Sequence, residues 1–154
     1  MILVQANRLP AAFDIKKKKI MRVNMLADQI ISTGLRFLGT PYVFNARSDQ
    51  TNVFDCSSFI QHIFGVNGIS LPRNSRQQFL MGTRIPFSQI RQGDLLFFTT
   101  KKRENREGVA KIGHVAVYIG KGHILHTYRQ GKKVQISELD SHWKSKYKGT
   151  KRVI

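Results

Sequence analysis

The sequence predicts an α+β domain in which N-terminal helices pack on an antiparallel sheet, and three observations carry that prediction. Apolar residues recur at helical spacing in the first half of the chain. In the second half they alternate with a period of two, and the strands are separated by short Gly-containing or polar turns instead of helices. A length of 154 residues suffices for one domain with a core of its own.

Residues 1–22 read as a basic extension outside the core, because no apolar periodicity survives the run Lys16–Lys19, and the domain proper is assigned to 23–154. Asn24 is a cap for a helix from Met25 to Leu38, with Leu26, Ile30, Leu35 and Leu38 on or near one face and Gly39 as its stop. Thr40-Pro41 opens a polar loop that runs to Val53. Asp55 has the chemistry of an N-cap for a second helix that buries Phe59, Ile60, Ile63 and Phe64 and ends at Gly65. A short third helix follows Asn74 and stops near Gly82. Strands are expected at Asp94–Phe98, His114–Ile119, His123–Tyr128, Lys133–Ile136 and Lys151–Ile154, with Lys101–Lys111 a charged loop.

With 26 Lys and Arg against 9 Asp and Glu, the net charge is +17. That balance favours polyanions: nucleic acid, anionic lipid or a phosphate-rich cell wall. No nucleic-acid-binding motif accompanies the charge, so no specific nucleic-acid partner is expected. No apolar stretch approaches the roughly 18 residues of a membrane span. Ile2, Leu3 and Val4 are followed at once by Gln5, Asn7 and Arg8, and the lysines come after the apolar residues, which is not the order of a secretory signal. Either the protein is not exported by the usual route or the chain is a piece of a longer one.

Cys56 is the only cysteine, so neither an internal disulfide nor a thiolate zinc cluster is available. Taken alone it has the ordinary reading of a small buried hydrophobe. Its place at a loop-to-helix junction suits a nucleophile, since unpaired N–H groups and the helix dipole draw a sulfur there toward its thiolate. Two histidines strengthen that second reading. If Gly120-Lys121-Gly122 is a three-residue loop, Ile119 pairs with His123, and His114 and His126 become diagonal neighbours on one face, with Cα atoms about 7–8 Å apart. A two-residue loop would send them to opposite faces. Alternation turns His123 away from His126. His62 lies about 600° of helical rotation beyond Cys56, or a net 120°, and points elsewhere. His142, beside Trp143, is expected to be exposed without a partner. The set that remains, Cys56, His114 and His126, has the chemistry of a nucleophile, a general base and a group that orients the base.

The order of motifs from about Leu35 to Ile154 resembles the NlpC-type cell-wall cysteine peptidases, which have a circularly permuted papain-like fold. Those motifs are Gly39-Thr40-Pro41-Tyr42, Phe54-Asp55-Cys56-Ser57-Ser58-Phe59, Leu71-Pro72-Arg73-Asn74-Ser75 with Gln78, Gly93-Asp94-Leu95-Leu96-Phe97-Phe98, Gly113-His114-Val115-Ala116-Val117-Tyr118-Ile119-Gly120 and Ile124-Leu125-His126. The resemblance implies Cys56 as nucleophile, His114 as base and His126 as the residue orienting it. It also implies Tyr42 as an oxyanion donor beside the nucleophile, and Asp55, Ser57 and Ser75 as residues lining the substrate cleft. The substrate implied is a peptidoglycan stem peptide, cut between γ-D-glutamate and meso-diaminopimelate or an equivalent diamino acid, outside the cell, with no metal and no cofactor. Anionic wall polymers are a further partner expected of the basic surface.

Three departures from the family pattern bear on the cleft. Phe44-Asn45-Ala46 stands where the family has an aromatic residue and two glycines, the Tyr42–Cys56 loop is about two residues longer, and Ser58 replaces a glycine. Two rival readings remain: a related papain-like amidase or acyltransferase acting on a non-wall substrate, and a non-catalytic polyanion-binding protein that keeps the fold as a scaffold.

Overall fold

In the structure, a computed structural model that describes residues 11–154, the order of elements is helices first and sheet second, as the periodicity predicts. The helices are α1 (Ala11–Leu35), α2 (Cys56–Gly65), α3 (Ser75–Gln78) and α4 (Ser141–Lys146). The strands are β1 (Thr83–Arg84), β2 (Leu95–Thr99), β3 (Ile112–Gly120), β4 (His123–Thr127), β5 (Val134–Glu138) and β6 (Tyr147–Arg152). They form one antiparallel sheet in the order β1-β6-β2-β3-β4-β5. No helix among the described residues is long and apolar enough to cross a membrane.

Both faces of the central strands are covered, so β2 reads as the continuous apolar run Leu95-Leu96-Phe97-Phe98. Leu95 and Phe97 join Val115, Val117 and Leu125 beneath α2, which contributes Phe59, Ile60, Ile63 and Phe64. Leu96 and Phe98 join Ala116 and Ile124 on the opposite face, where Trp143 of α4 closes the layer.

Three expectations need correction. First, α1 begins at Ala11 and passes through the lysine run, so Asn24 lies inside a helix and caps nothing. Residues 11–22 are helical and exposed. Lysine is a good helix former, and such a segment needs no apolar stripe of its own when it extends a helix anchored further on. Second, the helix buries Ala27, Ile30, Ile31 and Gly34, while Leu35 and Leu38 are exposed. It ends at Leu35, and the turn that follows brings in Phe37, 5.2 Å from Phe54 and 5.3 Å from His62 between ring centroids. Small residues let the helix approach the core closely, so the leucines were a misleading stripe. Third, the tail contains α4, capped by the Asp140 side chain accepting from the Trp143 N–H, and β6 begins four residues before the expected Lys151.

The β3–β4 hairpin reaches its register by an unexpected route. Gly120 pairs with His123, so the turn is the two residues Lys121 and Gly122, with φ of 51° and 73°. In an unbroken ladder that turn would separate the two histidines. A bulge between Tyr118 and Gly120, with Gly120 at φ 93°, supplies the compensating residue. Below it Tyr118 pairs with Ile124 and Val117 with Leu125, the pairing that places His114 and His126 on one face.

Candidate active site

A cleft of about 1030 Å³ opens where the start of α2 meets the start of β3, and both Cys56 and His114 line it. Asp55 is the N-cap of α2. Its carboxylate accepts from the Ser58 N–H at 2.9 Å, and the Ser58 hydroxyl accepts from the Asp55 N–H at 3.0 Å. Ser58, where the family pattern has glycine, thus completes a capping box that holds the helix start in place. Asn45, at the first glycine of the departing triplet, has φ 57°, a conformation asparagine tolerates.

Arg73 ties this corner together. Its guanidinium donates to both Asp55 oxygens, at 3.1 and 2.8 Å, to Ser57 Oγ at 3.0 Å and to the Ala46 carbonyl. One side chain therefore connects the loop after Tyr42, the start of α2 and the segment before α3. Asp55, Ser57 and Ser75 all border the cleft and all are buried. The first two are occupied by Arg73. Arg73 stands in a motif of the sequence, but its pairing with Asp55 spans 18 positions and is visible only once the chain is folded.

His114 Nε2 lies 2.8 Å from His126 Nδ1, and His126 Nε2 lies 2.8 Å from Ser137 Oγ on β5. Ser137 was not foreseen, since its position depends on the β4–β5 register, in which Ile124 pairs with Ser137. Around the two imidazoles stand Phe98, Tyr128 and Trp143, the last with its ring centroid 5.2 Å from His114 and 4.9 Å from His126. His142 is exposed, as expected, and lies at the border of the same cleft with its ring 5.1 Å from that of Trp143. His123 bonds to the Lys121 carbonyl, and His62 packs between Phe37 and Phe54. Among the described residues no three His, Cys, Asp or Glu side chains converge as a metal site would require.

This apolar wall sets the protonation states. Burial lowers the His114 imidazole to about 3. Burial, and then the neighbouring His114, lower that of His126 well below its usual value. Burial raises the Cys56 thiol to about 11, followed by the negative charge of Asp55, against the pull of the Val115 and Ser57 N–H groups and Arg73. Against the sequence-based expectation of a thiol drawn toward thiolate at the helix start, burial and Asp55 outweigh the N–H groups and Arg73 that favour the charged form. The resting pair is a neutral thiol and a neutral imidazole. Sγ contacts the Gly113 carbonyl at 4.0 Å and keeps part of the residue's surface open. Tyr42 is positioned by its N–H bond to the Lys132 carbonyl and by a bridge to Phe54. Burial, then Cys56 and Asp55, push its hydroxyl up to about 12 against the positive charge of Arg129, so at neutral pH it remains a donor.

The depressed His114 value has a consequence for stability. Between pH 6.5 and about 3 the unfolded chain binds a proton here that the folded chain does not. The contribution is fully present above pH 6.5 and is lost as pH falls, with about 3 kcal/mol gone by pH 4. Denaturant titrations should show a weaker acid dependence for His114→Gln than for the parent protein. Identical slopes would mean that His114 is not held neutral.

Residues 39–152 match the profile of the NlpC/P60 family. The γ-D-glutamyl-L-lysine dipeptidyl-peptidase of Bacillus subtilis is 41% identical over 73% of this chain and 36% of its own length. The γ-DL-glutamyl hydrolase of the same organism is 33% identical over 80% of this chain and 28% of its own length. A crystal structure of an NlpC/P60 family protein from Bacillus cereus superimposes with a TM-score of 0.73 at 34% identity, covering 82% of this chain and 40% of the other. The chain thus spans about a third of the length of the curated relatives it matches. Its helices-then-sheet order is that of the permuted papain-like fold, and the chain belongs to the NlpC/P60 family.

Proposed function

We propose that the protein is a cysteine peptidase that hydrolyses peptidoglycan stem peptides at the bond between γ-D-glutamate and meso-diaminopimelate or an equivalent diamino acid, through a thioester. The observation that carries this reading is the chain of polar contacts from His114 through His126 to Ser137, which begins in the cleft that Cys56 lines. Both relatives named above have a γ-glutamyl group in their names.

With Nε2 of His114 engaged by His126, Nδ1 is the nitrogen left to accept the thiol proton. That requires a defined tautomer. Ser137 Oγ accepts from His126 Nε2–H, His126 Nδ1 accepts from His114 Nε2–H, and His114 Nδ1 is then unprotonated. The thiol proton passes to Nδ1 as sulfur attacks the γ-carbonyl, and the Tyr42 hydroxyl with the Cys56 N–H holds the oxyanion. The His114 proton then goes to the departing amine, leaving a thioester. Water, giving its proton to Nδ1, attacks the thioester, and the thiol leaves with that proton. Asp55, Ser57 and Ser75 shape the cleft on the acyl side, and exposed Lys and Arg side chains hold the enzyme on anionic wall polymers.

The test is mass spectrometry of purified peptidoglycan after digestion. Products with a free γ-carboxyl on D-glutamate and a free α-amine on the diamino acid are expected; cleavage only at other bonds would end the reading. The relay makes a prediction of its own. Ser137→Ala lets His126 adopt the other tautomer, which protonates the wrong nitrogen of His114, so kcat should fall about tenfold with KM almost unchanged. Ser137→Thr should restore most of the rate, and an unaltered kcat in Ser137→Ala would remove Ser137 from the relay.

A further inference from the structure

Among the residues lining the cleft the one carboxylate is Asp55, which Arg73 already holds. The other basic residues lining the cleft are Arg76, Lys101, Lys102, Arg103, Arg129 and Lys146. Two of these differ from ordinary surface charges. Arg76 on α3 and Arg103 in the loop after β2 are half-buried, and each is anchored to main chain: Arg76 Nη1 donates to the Ile112 carbonyl at 2.9 Å and Arg103 Nη1 to the Ala110 carbonyl at 3.2 Å. Neither makes an ion pair with a described carboxylate. Glu104 and Glu107 of the same loop are exposed and do not line the cleft. Burial, and then the charges of Arg76 and Arg106, lower the Arg103 guanidinium from its usual value. Like charges held together at a cost in a cleft mark a place where an anion is expected.

The position is close to the chemistry. Gly113, whose carbonyl contacts Cys56 Sγ, has no side chain, and a Cβ there would lie 2.6 Å from Thr100 Oγ1 and 3.1 Å from Arg103 Cδ. The stem of Arg103 thus packs directly over the residue before His114. Thr99, on the same wall, is buried with its hydroxyl unpartnered among the described residues.

We propose that Arg76 and Arg103 form a recognition site for a free carboxylate adjacent to the scissile bond, so that the enzyme distinguishes stem peptides with free carboxylates from their amidated forms. This rests on the peptidase reading above. A guanidinium fixed by one main-chain bond keeps its remaining donors for a planar, bidentate acceptor, which a carboxylate is and a carboxamide is not. Preorganisation lowers the ordering cost that two free arginines would incur. A stem peptide offers two such groups within reach of the cut: the α-carboxylate of the γ-D-glutamyl residue and the side-chain carboxylate of the diamino acid.

Four synthetic peptides decide the matter, with each of these two carboxylates either free or amidated. In the parent protein, amidation at one of the two positions should raise KM about tenfold, and the position that responds identifies the group recognised. In Arg76→Gln/Arg103→Gln, KM for the free peptide should rise to that for the amide, abolishing the distinction. Arg103→Lys, which keeps the charge and loses the fork, should fall between. Equal KM values for all four peptides in the parent protein, or an undiminished amidation penalty in a folded double variant, would overturn the proposal. If no peptide is cut, the peptidase reading fails by itself. Peptide binding to Cys56→Ala then tests the site separately: free peptide should bind about tenfold more tightly than the amide, and equal affinities would overturn it.

Discussion

Cys56→Ala is expected to lose at least about 10⁵-fold in kcat while unfolding at the same temperature as the parent, because no other side chain supplies the attacking electron pair. Cys56→Ser should be almost as inactive, since a hydroxyl is a far weaker acid than a thiol and the His114 imidazole, lowered to about 3 by burial, is a weak base. The resting protonation states give this prediction a second readout. With the thiol at about 11, alkylation by iodoacetamide should be slow at neutral pH and rise roughly tenfold per pH unit above it. A rate that is already maximal at pH 6 would mean that thiolate and imidazolium are the resting pair. Retention of hydrolysis in Cys56→Ala would end the thiol mechanism altogether.

A neutral resting pair fits a site walled by Phe98, Tyr128 and Trp143. Such a wall disfavours isolated charge on either group. The helix start still contributes, through the Ser57 N–H that opposes the rise of the thiol. Its effect is the smaller one, which a sequence-based argument from the dipole alone does not weigh.

What the sequence made legible divides along the same physical line. Local signals were sufficient where one residue decides the outcome: Asp55 before Cys56 and Asn74 before Ser75 both cap helices as their chemistry predicts, and apolar runs bounded by Gly-containing or polar turns placed β2 to β5 to within two residues at either end. Contacts between distant segments were not legible. Ser137 reaches His126 only through the pairing of β4 with β5, and Arg73 reaches Asp55 across 18 positions. The histidine face was predicted correctly from a three-residue loop that does not exist. A shorter turn and a bulge at Gly120 give the same parity, so the agreement reflects the demand for two histidines on one face more than knowledge of the turn.

Arg73→Met should be the most destabilising single substitution at the site. Asp55 is buried, and the side chain of Arg73 is 28% exposed against 9% for that of Asp55. Removing the guanidinium strands a carboxylate whose remaining partners are the Ser57 hydroxyl and the Ser58 N–H. Breaking such a pair from one side costs about 3–5 kcal/mol, which for a domain of this size is a fall in Tm of roughly 10 °C. Activity should fall too, because the same side chain holds the Ala46 carbonyl and with it the loop that carries Tyr42. Asp55→Asn combined with Arg73→Met removes the stranded charge and should recover a good part of the lost stability, though not the loop contact. The two effects are separable by thermal unfolding and by kcat measured well below the new Tm. A Tm within about 1 °C of the parent in Arg73→Met would show that solvent compensates Asp55 in its place, in which case the Arg73–Asp55 pair only positions the corner of the cleft and does not stabilise the fold.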